Sequence, residues 1–184
     1  MTEAEKYDKM HQVPGYSPGP GVSHVSSAAG YIGQPTSIID FGCGTGDAAQ
    51  AFISLGHDVF AVDISRNGLR YDFGDRFIKS SLHELSDAVP GAEWGFCCDV
   101  MEHLPTEWVP VALGKMAGKV INCYFSISGV PDSWGPRIGE TLHLTIKPAA
   151  WWLAVIGVHF RDVRLLHDSG SVYEILAIGA TRGN

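Results

Sequence analysis

The stretch Ser37-Ile38-Ile39-Asp40-Phe41-Gly42-Cys43-Gly44-Thr45-Gly46-Asp47 constrains the fold more than any other part of the chain. A short apolar run ends in an acid, and glycine follows at every second position. That is the form of a buried strand entering a tight loop and then a helix. Gly42, Gly44 and Gly46 permit positive φ and allow a ligand close to the backbone. The following helix would present free N–H groups and the positive end of its dipole. A nucleotide-like ligand with a polar or anionic tail is expected over this loop.

Two ligand classes fit a loop of this kind. A dinucleotide fingerprint requires G-x-G-x-x-G, its third glycine allowing close packing near a pyrophosphate. Here the spacing is G-x-G-x-G, and Asp47 occupies the third-glycine position. A carboxylate there would repel a pyrophosphate, whereas Asp40 at the strand end suits a ligand carrying positive charge. With hydrophobic–hydrophobic–acid–x–G–x–G–x–G in place, the segment resembles the first motif of class I S-adenosylmethionine-dependent methyltransferases. Their cofactor carries both a sulfonium and an ammonium.

The rest of the chain accords with one globular unit. Its 184 residues suffice for a substantial core, and 45% apolar with 18% charged residues excludes a disordered chain. The net charge is −7, and the 13 Lys and Arg are scattered. That argues against a duplex-binding surface, which needs clustered cations. Cys43, Cys97, Cys98 and Cys123 show no C-x-x-C and no disulfide-scaffold spacing. Reduced thiols in a cytoplasmic setting are expected. Met1 to Met10 is polar and does not read as a signal peptide. The longest apolar stretch, near Ala149 to Val158, is too short to span a membrane.

Residues 1–36 are rich in Gly, Pro, Ser and His, and Pro14, Pro18, Pro20 and Pro35 oppose long regular structure. They are expected to form an irregular N-terminal arm or cap, with a short helix near Val22 to Ile32. From 37 to 184 strands and helices alternate. Strands are expected at 38–41, 58–63, 77–80, 93–99 and 119–126. Helices are expected at 47–55, 67–73, 106–116 and 148–155. Two late strands, 163–167 and 172–180, are joined by Asp168-Ser169-Gly170-Ser171, a hairpin signal. The fold class is therefore α/β, doubly wound, with a mostly parallel seven-stranded sheet and an antiparallel C-terminal hairpin. This order is similar to that of class I methyltransferases.

Ligands of open α/β sheets bind beyond the carboxyl ends of the strands. Asp63 ends the second strand 21 positions after Gly42, the distance expected of an acid that accepts hydrogen bonds from ribose hydroxyls. A turn cap is the structural alternative. Ser80-Ser81-Leu82 ends the third strand, where many family members carry an acid for the adenine amino group. The serines depart from that pattern and can equally cap a turn. The segment Cys98-Asp99-Val100-Met101-Glu102-His103-Leu104 resembles the D-V-L-E-H-L of many small-molecule methyltransferases.

Together the two resemblances imply S-adenosyl-L-methionine as cofactor, with S-adenosyl-L-homocysteine as product. They imply a cofactor site of Asp40, Gly42, Cys43, Gly44, Gly46, Asp63, Ile64, Ser81, Leu82, Cys98 and Asp99. Glu102 and His103 are candidates to orient an acceptor or take its proton, His being suited to base work near neutral pH. Leu142-His143-Leu144 resembles a His-Leu pair of related enzymes and places His143 toward the acceptor; anchoring a loop is the alternative. Trp134, Pro131 and Pro136 suggest an acceptor wall, and Tyr7, His11 and Tyr16 an arm over the cofactor. No metal site is expected, because the eight histidines form no H-x-H, no H-E-x-x-H and no compact cluster.

The reading is methyl transfer to a small-molecule or glycan-type acceptor, without a nucleic-acid or membrane partner. No N-P-P-Y-like segment of nucleic-acid amino-methylating relatives follows the fourth strand. A nicotinamide-dependent oxidoreductase and a non-catalytic cofactor binder are the alternatives.

Overall fold

A computed structural model of the chain describes residues 2–16 and 21–181. Pro18 and Pro20 lie outside the described residues. Seven strands form one sheet: β1 Ser37–Phe41, β2 Asp58–Asp63, β3 Phe77–Lys79, β4 Ala92–Cys98, β5 Val120–Ser128, β6 Phe160–Asp168 and β7 Val172–Ala180. Their order is β3-β2-β1-β4-β5-β7-β6. All pairings from β3 to β5 are parallel, and β7 runs antiparallel to both β5 and β6. The central strands carry apolar residues on both faces, as a sheet covered by helices on two sides requires. Ile38 and Ile39 thus belong to opposite core layers.

Among the described residues five helices accompany the sheet: α1 Glu3–Met10, α2 Gly21–Ile32, α3 Asp47–Ser54, α4 Val109–Ala117 and α5 Ala149–Gly157. Val25, Ala28 and Ile32 of α2 pack with Ala48, Ala49 and Phe52 of α3 over one face. Leu113 and Met116 of α4 and Trp152 and Ile156 of α5 cover the other. Pro110 sits in the first turn of α4, where its missing N–H costs nothing.

Two stretches depart from the expectation. In the N-terminal segment α2 stands at the short helix expected near Val22 to Ile32, but a further helix, α1, forms where irregular chain was expected. Thr2 caps α1 in a capping box with Glu5, a local signal strong enough to start a helix among polar residues. Residues 67–73 form turns, not a helix. Arg70 N–H donates to the Thr45 carbonyl of the glycine loop at 3.0 Å, and Leu69 and Phe73 turn onto the α2–α3 face. Gly68 is needed because His11 lies where its Cβ would be, at 2.2 Å.

Candidate functional site

The strand order reverses between β1 and β4, and a cavity of about 300 Å³ lies at the carboxyl ends of the strands there. Asp40, Gly42, Cys43, Gly44, Asp63, Ile64, Ser81, Leu82, Cys98, Asp99, His103 and His143 all line it. Gly46 and Glu102 do not.

The glycine loop is built by packing as much as by access. Gly42 has φ +74°, and a Cβ there would meet Val100 at 2.3 Å. Gly46, with φ +79°, begins α3 and is covered by Phe73, 2.6 Å from its would-be Cβ. Both glycines are therefore required by side chains of this chain, and Gly42 also lines the cavity. Asp63 accepts from the Gly44 N–H at 2.8 Å and from the Ser65 N–H at 2.9 Å, joining the glycine loop to the end of β2. Burial raises its pKa, while those N–H groups oppose the rise.

Asp40 is fully buried, and its Oδ2 has no hydrogen-bond partner. Burial, with the Asp63 charge nearby, pushes its pKa up to about 7; the Ala49 N–H pulls the other way. Asp47 differs from the sequence expectation. Thr45 Oγ1 donates to it at 2.7 Å and Arg70 pairs with it at 2.8 Å, so its charge is largely spent within the loop. Ser80 caps a turn, accepting from Ser86 N–H at 2.9 Å, and both Ser80 and Ser81 line the cavity.

Beyond β4, Met101–His103 forms one 3-10 turn. Three residues per turn send successive side chains in different directions. His103 faces the cavity, and Glu102 turns into the protein, fully buried. This corrects the expectation that Glu102 faces an acceptor. Its Oε1 accepts from the Ser128 N–H at 3.0 Å, Oε2 has no donor, and burial holds the carboxyl well above its usual pKa. Burial and the neighbouring His143 lower the His103 pKa to about 3, so this imidazole is neutral and a weak proton acceptor. Its Nδ1 meets the Leu142 carbonyl at 3.1 Å, and the Nδ1 of His143 meets the Val130 carbonyl at 2.6 Å. In each ring the proton therefore sits on Nδ1, and Nε2 carries the lone pair.

The remaining walls come from loops and α1. Asp132 organises the loop after β5 by accepting from the N–H groups of Trp134, Gly135, Leu142 and His143. Trp134 packs edge-on against Tyr16, which packs against His11. Lys6 and Lys9 of α1 donate to the Thr141 and Ile138 carbonyls, and Ser65 donates to Asp8. Tyr7, His11, Tyr16 and Trp134 all line the cavity.

Sequence reading missed Gly21 and Val22 at the start of α2, Asp132, and the stacked pair His83–Trp108, whose centroids are 3.8 Å apart. The Asp-x-Trp-Gly turn was a readable signal for Asp132. The stacked pair joins residues 25 positions apart and had none.

Two properties of the lining define what it can hold. Six acids line the cavity (Glu3, Asp40, Asp47, Asp63, Asp99 and Asp132), with no Lys or Arg among the lining residues. Buried polar atoms without partners also gather here: Tyr7 Oη, Asp40 Oδ2 and His83 Nδ1 all belong to lining residues. Native interiors rarely leave such atoms unpaired except where a ligand or water completes them.

No protein-family model and no curated protein matches this chain. Solved structures do. A Pyrococcus horikoshii OT3 protein superposes with a TM-score of 0.69 at 10% identity, over 94% of this chain and 98% of that one. The N-terminal domain of EvdMO1, solved with S-adenosylhomocysteine and D-fucose, gives 0.68 at 13% identity over 99% and 98%. The N-methyltransferase NodS from Bradyrhizobium japonicum WM9, solved with S-adenosylhomocysteine, gives 0.67 at 10% over 96% and 97%. The fold is that of the class I S-adenosylmethionine-dependent methyltransferases, with the seven-stranded sheet and antiparallel β7 expected from the sequence. Among the described residues no helix is long and apolar enough to cross a membrane.

Proposed function

We propose that this chain transfers a methyl group from S-adenosyl-L-methionine to a small-molecule acceptor. The observation that carries the reading is the cavity lining: six acids and no Lys or Arg, at the reversal point of a methyltransferase sheet. A sulfonium and an ammonium suit that lining. A pyrophosphate, which wants N–H groups and cations, does not. The nicotinamide alternative is therefore disfavoured even though Arg70 neutralises Asp47.

In this reading Asp63 and Ile64 receive the ribose, Ser81 and Leu82 the adenine, and Asp40, Cys98 and Asp99 the methionine end. The acceptor enters under α1, beside Tyr7, Trp134, His103 and His143. Methyl transfer from a sulfonium is an in-line displacement whose leaving group is already activated. The protein's part is to align the acceptor and exclude water, which a lid of half-buried aromatics serves. His143, less enclosed than His103, is the better placed to accept a proton from an acceptor hydroxyl. The EvdMO1 domain, solved in the presence of S-adenosylhomocysteine and D-fucose, supports a glycan-type acceptor.

Calorimetry with S-adenosylhomocysteine, using NAD as control, tests the reading. Micromolar binding of the first alone is expected, with at least a tenfold loss in Asp63→Ala. Binding of NAD alone would overturn it. Turnover with a labelled methyl donor and a panel of sugars and aromatic alcohols then separates an enzyme from a non-catalytic binder.

A further inference from the structure

Glu102, His103 and His143 come together although 40 positions separate the histidine pair. One ligand atom from each lies within 4.8 Å of the others. The sequence offered no compact ligand cluster; the fold makes one. From it we infer a divalent-cation site of the two-histidine, one-carboxylate kind at the acceptor end of the cavity.

The geometry has the features of a prepared site. The Nδ1 of His103 and of His143 is each occupied by a backbone carbonyl, Leu142 and Val130, so both rings keep their Nε2 lone pair for a ligand. Metal-binding histidines are usually oriented by such a second hydrogen bond. Glu102 is fully buried, Ser128 N–H holds its Oε1, and its Oε2 is left without a donor. A cation at that oxygen would displace the carboxyl's proton and compensate the buried charge. The segments that carry the three groups are also tied together. The Glu102 carbonyl accepts from Leu144 N–H at 2.8 Å and Thr145 N–H at 2.9 Å, and Thr145 Oγ1 donates to Leu104 at 2.7 Å. Ligands sharing one zinc ion stand roughly 3–4 Å apart, so a small closing movement completes the set.

The donor set points to zinc or a neighbouring first-row ion. Two imidazoles and one carboxylate leave a coordination position open, and His103 and His143 open onto the cavity. An acceptor hydroxyl or carbonyl oxygen fits that position. This last step rests on the methyltransferase reading; the cation site itself does not. The competing account of the unpaired Glu102 oxygen is a proton shared with the neighbouring Asp99 carboxyl, and it predicts no cation binding.

The test is titration of the chelator-treated full chain with Co²⁺, followed by its visible absorption, and with Zn²⁺ in competition. One Co²⁺ per chain is expected, with d–d bands that Zn²⁺ abolishes. His143→Ala should weaken it by at least the roughly 10–100-fold that loss of an outer-shell partner costs, and Glu102→Gln likewise. His143 is partly exposed, so its variant keeps the test sound should Glu102→Gln fail to fold, which unfolding curves report. Absence of stoichiometric Co²⁺ binding, or binding unchanged in His143→Ala, overturns the site. Calorimetry with S-adenosylhomocysteine on the same samples separates the two readings. Cofactor binding without Co²⁺ sinks the cation site alone, and Co²⁺ binding without cofactor leaves it standing while the methyltransferase reading falls.

Discussion

At the scale of single residues, Asp40 sets the clearest expectation. Its folded pKa, about 7, lies above the unfolded value of about 3.9, so folding favours its protonated form. The stability it contributes is present below pH 4 and is lost as pH rises through about 7. Asp40→Asn, which stays neutral, should therefore melt above the wild type at pH 8, by roughly 10 °C, and match it near pH 4. Thermal unfolding of the ligand-free protein across that range measures it. Binding of the S-adenosylmethionine cation needs the ionised form, so below pH 7 the wild-type affinity should fall by up to about tenfold per unit, with proton release seen by calorimetry in buffers of different ionisation enthalpy. Gly42 makes a second expectation. Alanine there takes positive φ and collides with Val100, at a cost of roughly 3 kcal/mol, read as a lowered denaturation midpoint. Asp40 and the glycine loop were legible because their chemistry is local. The burial of Glu102 was not legible, because one 3-10 turn, invisible as a pattern, sets its direction.

At the scale of elements, α1 and α2 divide the N-terminal segment by role. α2 contributes Val25, Ala28 and Ile32 to a core layer, whereas α1 lies over the cavity and meets the loop after β5 through Lys6 and Lys9. Removing residues 2–16 is expected to lower the melting temperature by only a few degrees and to weaken S-adenosylhomocysteine binding at least tenfold. Melting curves and calorimetry on the shortened chain check both halves. A shortened chain that unfolds would place α1 in the core instead. The helix α3 was readable from apolar periodicity, and α4 and α5 also from Pro110 and Pro148 near their starts. Residues 67–73 were not, since Leu69 and Phe73 answer to the α2–α3 face rather than to a helix of their own.

At the scale of the molecule, cavity and sheet are one construction. Its walls come from α1, α2, the glycine loop, the ends of β2 to β4 and the loop after β5. A ligand bridging them binds the folded state alone. S-Adenosylhomocysteine at about a hundred times its Kd should then stabilise the protein by about 2.7 kcal/mol, or about 5–10 °C in melting temperature. Hydrogen exchange should slow in α1 and in the glycine loop together. Protection of the loop alone would show that α1 does not close over the ligand.

By itself the sequence determined the alternation of strands and helices, the mostly parallel sheet, the hairpin at its end and the acids at the ends of β1 and β2. Each of these follows from side-chain period, turn chemistry or a residue's immediate neighbours. Only the tertiary structure decided that Glu102 turns inward to stand beside His103 and His143, that Val100 and Phe73 occupy the space over Gly42 and Gly46, and that Arg70 neutralises Asp47. Those contacts join residues far apart in the chain, and their geometry is set by how loops pack across the sheet's edge, where no periodic pattern is imposed on the sequence.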